Sequence, residues 1–372
     1  MKKSLIALAV AGAFAAPAFA ATSNVDLYGQ FRISVDHLNS MNSTIRGWGM
    51  NDETSRIGLK GSEDLGGGLK AIYQWETGFN LGNMGTLSTG SSNASGVNAG
   101  LTAGGMTGQR NTFIGLAGGF GTVLMGRHDT PYKLGGSADL FADTLADAQS
   151  DALSSSNGAA ARCIICEDLR VNNAIAYVSP EYSGFHAAVA IVPGKFASST
   201  ATTKSLDSLS DAYSMVGVYN NGPLKLTAAY ENLDHYVGNA ATGAASSKQD
   251  AWKLNGAYTI GDLTLGATWE DIKHFGGASS GDGSKMSNYL VSAAYGMGPI
   301  TLAAQYGRRN PNGGSNNLED ATVGVIYNMS KRTNTYVGYA HYKPQSNVSA
   351  TGLAIDNGKT LNALTLGMNH SF

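Results

Sequence analysis

The chain has 372 residues, with 49 Gly, 8 Pro, 2 Cys, only 14% charged residues and a formal net charge of −2. Soluble domains average roughly 25% charged residues and about 7% Gly, so this chain is poor in charge and rich in glycine. An apolar share of 42% excludes a disordered polymer, and the lack of a basic excess leaves nucleic-acid binding without support.

The first element in chain order is a leader. Lys2 and Lys3 precede an apolar run from Leu5 to Ala16, followed by Ala18-Phe19-Ala20. This predicts a secretory signal peptide over 1–20 and a mature chain over 21–372. The apolar run, about 12 residues, is short of the ~20 that a spanning helix needs.

Period-two alternation begins next. Val25, Leu27, Phe31, Ile33 and Val35 interleave with Asp26, Gln30, Arg32, Ser34 and Asp36, placing one set on each face of a strand. Alternation and turn residues predict strands at 24–36, 54–62, 68–80, 109–118, 120–129, 171–179, 184–193 and 211–220. Eight more follow at 223–234, 249–259, 262–274, 285–296, 299–309, 318–328, 332–343 and 360–372. The later ones contain a repeat: Tyr219 to Tyr230, Tyr258 to Trp269 and Tyr295 to Tyr306 each read strand, Gly turn, strand, with an aromatic at both ends. A looser copy runs from Tyr327 to Tyr339.

Short turns near Asp64, Gly119, Glu181, Gly222, Gly261, Gly298 and Lys331 alternate with longer connections such as 81–108, 129–170 and 194–210. Strands of ~10 residues, even in number, with tight turns at one end and long loops at the other, predict an all-β fold. It is a 16-stranded antiparallel transmembrane β-barrel with short periplasmic turns and long external loops. In lipid every backbone group must pair internally, so a spanning sheet has to close. Sixteen strands leave an aqueous lumen.

Several segments are familiar in combination. They are Val25-Asp-Leu-Tyr-Gly-Gln-Phe31, Ser55-Arg-Ile-Gly-Leu-Lys-Gly-Ser-Glu-Asp-Leu65, Gly68-Leu-Lys-Ala71 with Trp75, and Arg110-Asn-Thr-Phe-Ile-Gly-Leu116. Gly118-Gly-Phe-Gly-Thr-Val123 with Gly126-Arg127, and Gly367-Met-Asn-His-Ser-Phe372, complete the set. With them the chain resembles the general porins of the Gram-negative outer membrane, specifically the beta-proteobacterial porin family. The resemblance implies a multi-pass homotrimer in outer-membrane lipid that passes small hydrophilic solutes and ions by passive diffusion. It also implies that the third external loop, here 129–170, folds inward and narrows the barrel, and that wall arginines face it. Phe372 resembles the assembly signal of such barrels.

A diffusion channel needs charged rings rather than a nucleophile. Parity turns Arg32, Arg56, Lys60, Lys70, Glu76, Lys225, Glu231, Lys253 and Glu270 toward the lumen, since Arg or Lys facing lipid at midplane costs ~2–4 kcal/mol. Arg127 ends the fifth strand, where alternation is poor. Each charge either lines a wet wall or sets selectivity; the family raises Arg32, Arg56 and Arg127. In the long loop Asp139, Asp143, Asp147 and Asp151 recur every four residues, which on a helical turn aligns them on one face. Asp139 and Asp143, nearest the Gly135-Gly136 bend, are the candidates for the constriction; a solvated acidic face is the alternative. The wall basics point to a weak anion preference, opposed by these acids.

The same loop holds Cys163-Ile-Ile-Cys166, a departure from the family. In an oxidising compartment two nearby cysteines predict a local disulfide, with a redox-reporting bond and metal binding as alternatives. No H-E-x-x-H occurs, and the glycine-rich stretch from Gly115 to Gly121 lacks the Lys-Ser/Thr of a phosphate loop, so no enzyme, cofactor or metal is predicted. A substrate-selective porin, a barrel enzyme and an adhesin remain the alternatives to a general porin.

Overall fold

The computed structural model describes residues 24–40, 46–79, 81, 110–149, 163–193, 209–233, 248–274, 285–311, 317–344 and 360–372. The leader 1–20, nearly all of 81–108 and residues 150–162 of the long loop, Asp151 among them, lie outside these. Alternating sequence becomes strand almost throughout. The first segments are β1 (Asn24–Ser40), β2 (Arg46–Asp52), β3 (Arg56–Gly66), β4 (Leu69–Gly78), β5 (Thr112–Gly118) and β6 (Gly121–Asp129). After a short helix α1 (Pro131–Leu134) come β7 (Arg170–Val178), β8 (Phe185–Val192), β9 (Ala212–Asn221), β10 (Leu224–Leu233), β11 (Gln249–Ile260) and β12 (Leu263–Lys273). The chain ends with β13 (Lys285–Met297), β14 (Ile300–Pro311), β15 (Leu318–Asn328), β16 (Thr333–Pro344) and β17 (Leu361–Ser371).

Consecutive strands pair antiparallel, and β17 pairs back onto β1 from Gln30↔Ser371 to Ser40↔Leu361, so the sheet has no edge. β2 pairs with one half of β1 (Ile33↔Asp52 to Asn39↔Arg46) and β3 with the other (Asn24↔Ser62 to Gln30↔Arg56). The two segments share one position in the wall. The molecule is therefore a closed barrel of sixteen strands.

The second wall strand departs from its expected span. Alternation placed it at 54–62 after a connection over 37–53, whereas β1 continues to Ser40 and β2 starts at Arg46. Between Gln30↔Arg56 and Ile33↔Asp52, the two residues Phe31 and Arg32 face three, Glu53, Thr54 and Ser55. One extra residue inverts the phase of the strand. Trp48 and Met50 point outward before the bulge and Leu59 after it. Thr54 takes a left-handed backbone, φ 64. An alternation count held in one phase cannot cross such a point.

The outer face is apolar. Leu226, Leu254, Val291, Leu302, Val323 and Val337 are exposed on it, with aromatics in two bands. Tyr258, Tyr295 and Tyr327 lie toward the short-turn end, and Trp252, Trp269 and Tyr339 toward the other. That is the belt arrangement expected at two membrane–water boundaries. The repeat hairpins close through two-residue turns in which Gly222, Gly261 and Gly298 take φ of 57°, 59° and 61°. A side chain is strained there, so the turn keeps glycine.

Candidate functional site

The inner face is divided. From β8 to β17 it carries small and apolar residues interspersed with buried polar and charged ones, and the described parts of the long connection after β6 lie upon them. α1 starts this connection: Thr130 caps it by accepting the Lys133 N–H at 3.2 Å, and Pro131 opens its first turn. Tyr132 is fully buried among Ala188, Val216, Val218, Ala229, Ala251 and Ile272. Phe141, Leu145, Ala146, Ala148, Ile164 and Ile165 then pack on Leu290, Ala303, Leu318, Ala340, Tyr342 and Ala363. Gly324 makes room for the Phe141 ring; a Cβ there would stand 2.6 Å from it. The wall also supplies polar anchors: Thr268 Oγ1 accepts the Ala138 N–H at 2.7 Å, and Gln305 Oε1 the Leu140 N–H at 2.9 Å.

Having followed one half of the barrel, the loop meets the other half at Arg32. The Arg32 guanidinium donates to Asp143 Oδ2 at 2.7 Å and to the Ala142 carbonyl at 3.0 Å. Arg56 Nη1 stands 3.8 Å from the same carboxylate oxygen. The bulge aims Arg32: its N–H donates to Ser55 Oγ, and its carbonyl accepts the Glu53 N–H, each at 3.0 Å. Partial desolvation pushes the Asp143 carboxyl upward, but Arg32, then Arg56, Arg110 and Lys133 outweigh it and hold it down at about 2. A third of the Asp143 side chain, 35%, and a quarter of Arg56, 25%, stay exposed to the lumen.

Further pairs line the uncovered half. Arg110 Nε meets Glu76 Oε1 at 2.5 Å, and Tyr28 donates its hydroxyl to Glu76 Oε2 at 3.0 Å. Lys133 bridges Asp168 at 2.9 Å and Asp129 at 3.4 Å, and Arg170 reaches Asp129 at 2.8 Å. Lys60 lies over the Tyr28 ring, 5.1 Å from its centroid. Among the described residues this belt sets six cations (Arg32, Arg56, Lys60, Arg110, Lys133, Arg170) against four carboxylates (Asp143, Glu76, Asp129, Asp168). Behind Arg32, the buried Asp36 and Glu53 carboxylates both approach the Ser34 hydroxyl, at 2.8 and 2.9 Å.

The candidate residues therefore separate. Arg32, Arg56 and Asp143 come together, and Lys60 lies on the same lumenal wall. Asp139 does not join them: its carboxylate accepts the Phe141 and Ala148 N–H groups at 2.8 and 2.9 Å, closing a turn of its own loop. Asp147 likewise accepts from Asp143 N and Gln149 N, each at 2.7 Å. The four-residue spacing brings these acids close through Asx-type turns rather than a helical face, because α1 ends at Leu134 and Asp143 is left-handed at φ 56. Arg127 also departs from a lumenal position. It pairs with Thr112, one step of two beyond the outward pair Ile114↔Met125, and donates to Asn172 at 2.7 Å on the exposed side. Sequence parity misses Glu53 and Lys133 because they lie in a bulge and a connection, where parity has no meaning. It misses Arg110, which heads one of the family segments, because the strand expected over 109–118 starts only at Thr112.

Cys163 and Cys166 are joined in a disulfide. Ile164 and Ile165 between them are fully buried. Glu167 follows at once, and burial, then the Glu231 carboxylate, pushes its carboxyl well above the ordinary range.

With this geometry in view, the chain can be set beside known proteins. A family model described as Gram-negative porin matches residues 7–347. Outer membrane porin protein 32 of Delftia acidovorans is 30% identical over the whole of both chains. Major outer membrane protein P.IB of Neisseria lactamica is 28% identical, again over both full lengths. Among solved structures, an anion-selective porin from Comamonas acidovorans superposes with a TM-score of 0.69 at 23% identity, covering 94% of this chain and 100% of that one. A trimer form of the Vibrio cholerae outer membrane protein OmpT gives 0.61 at 18% identity, over 94% and 100%.

Proposed function

We propose, from the premise that this chain belongs to the Gram-negative porin family, a specific way in which it selects among solutes. As a porin it is an outer-membrane channel rather than an enzyme, and it lets small hydrophilic solutes diffuse passively. In our reading loop 129–170 forms the narrowest section of its lumen, between Asp143 on the loop and Arg32 and Arg56 on the wall. The observation that carries this is the 2.7 Å contact between Arg32 and Asp143, made by two residues 111 positions apart. An acid on one side and arginines on the other set a transverse field across the gap, and the wall arginines beside it favour anions.

Reversal potentials across planar bilayers in a salt gradient test the sign. An anion-over-cation permeability ratio above one supports the reading, and a ratio below one overturns it. The relative from Comamonas is described as anion-selective, which agrees with that direction. We also propose that the protein assembles as a homotrimer through its apolar outer face; a trimer form exists for the Vibrio relative. Native mass spectrometry of the detergent-solubilised protein checks this, and a monomer alone would refute it.

A further inference from the structure

One polar row on the loop-covered wall plays no part in that selectivity reading. Lys253, Glu270, Asn288 and Arg309 stand on β11, β12, β13 and β14 in direct register, as Lys253↔Glu270, Glu270↔Asn288 and Asn288↔Arg309. All four point inward and are at most 1% exposed. Charged groups at that depth are costly unless paired and hydrogen-bonded.

What meets the row is the turn closed by the Cys163–Cys166 disulfide. Arg309 Nη1 donates to the Cys163 carbonyl at 3.3 Å. Cys166 N–H donates to Glu270 Oε2 at 2.8 Å, and Glu167 N–H to Glu270 Oε1 at 3.2 Å. Asn288 Nδ2 donates to Oε2 at 3.1 Å. The other end of the loop reaches the same carboxylate, because the Tyr132 hydroxyl donates to Oε1 at 3.1 Å. Lys253 Nζ lies over that Tyr132 ring, 4.3 Å from its centroid. Gly307 keeps the floor clear: a Cβ there would stand 2.6 Å from Ile164 Cγ2.

We propose that Glu270 and Arg309 are positioning residues that clamp both ends of the constriction loop through the disulfide-bent turn 163–166, so that the width of the lumen depends on the bond being oxidised. The disulfide spans three residues and shapes only this turn. It presents the Cys163 carbonyl to a donor and the Cys166 and Glu167 N–H groups to an acceptor two strands away. A dithiol reagent reduces the bond by supplying two electrons and two protons, which leaves two thiols and closes the reagent into its own disulfide. The turn then loses the constraint that matches it to the row. This inference rests on the reading of 129–170 as the constriction.

Single-channel recording on the folded, purified protein tests it. Oxidised wild type gives one steady level. Glu270→Ala, and wild type reduced with dithiothreitol after folding with both thiols counted by alkylation, spend ~10-fold more of their time or longer at altered levels, each charge-assisted hydrogen bond being worth about a decade in an equilibrium. Glu270→Gln keeps one acceptor oxygen and falls between. Reducing Glu270→Ala adds no further change, because both perturbations act on the same turn.

Steady wild-type traces from either Glu270→Ala or the reduced protein overturn the clamp, as does full additivity of the two. Where Glu270→Ala does not assemble, the reduced wild type alone decides. Asp143→Asn separates this from the underlying reading. Unchanged selectivity in that variant removes the constriction assignment, whereas changed selectivity beside a silent Glu270→Ala removes only the clamp.

Discussion

The inner surface from β8 to β17 and the inner surface from β1 to β7 belong to one continuous sheet with one alternation, yet they do opposite things. The first presents alanines and glycines among many polar and charged groups, Glu231, Lys253, Glu270, Arg309 and Asp320 included, all buried beneath the loop. The second keeps its arginines, lysines and acids in the lumen. The contrast gives the repeat hairpins a second meaning. Their outward aromatics serve the membrane boundaries, while small inward residues form a bed for the loop, Ala229 under Tyr132 and Ala303, Gly324 and Ala340 under Phe141 and its neighbours. A barrel can thus be asymmetric inside while its outer face stays uniform.

The largest expected effects fall on the covered half. Truncating a buried phenylalanine costs about 3–5 kcal/mol, and Phe141→Ala takes that from loop docking alone. Limited proteolysis then cleaves the loop faster, while the barrel keeps its resistance. If the whole barrel loses stability instead, the loop is part of its core and the two halves are not separable. Gly324→Val tests the same bed from the wall side, because its Cβ enters the space of the Phe141 ring.

Charge changes on the open half come next. A unit charge at about 4 Å is worth ~1 kcal/mol in bulk water, about fivefold in a permeability ratio. Replacing Arg32 and Arg56 together by Gln lowers the anion-to-cation ratio by roughly an order of magnitude, and Asp143→Asn raises it about fivefold. Reversal potentials read both, and equal shifts of the same sign in the two variants would contradict a transverse arrangement.

Acid titrates the contact between the halves. The Asp143 carboxyl is depressed from 3.8 to about 2, so its ion pairs contribute fully above the unfolded value and are lost as pH falls through the folded one. The Asp143 contribution to selectivity should stay flat from neutral pH down to about pH 4, and its loss should move selectivity toward anions only below that. A midpoint near an ordinary carboxylate value would show that Arg32 and Arg56 do not hold Asp143 in the membrane-bound protein.

The smallest effect belongs to the bulge at the seam. Thr54 is β-branched with φ 64, a conformation costing of order 1 kcal/mol that glycine relieves. Thr54→Gly should gain up to about 1 kcal/mol in urea unfolding and leave selectivity unchanged. A selectivity shift would mean that Thr54 tunes the aim of Arg32 and is not merely tolerated.

Sequence by itself determined the number of crossings, the outward apolar face and the inward side of Arg32, Arg56 and Lys60, because strand periodicity is local and each charge turned to lipid is costly. The family resemblance, rather than periodicity, pointed to 129–170 as the loop whose described residues pack on the inner face. Only the tertiary structure decided which acid meets the arginines. Asp139, Asp143 and Asp147 look alike in sequence, and two of them close turns of their own backbone. Arg127 and the inverted phase at Glu53-Thr54-Ser55 were equally hidden, since a bulge is defined by the partner strand and not by the residues that form it. Nor does alternation distinguish Glu270 from any other inward carboxylate. Its role comes from Tyr132 and Cys166, more than a hundred positions away, which the closure of the barrel brings to it.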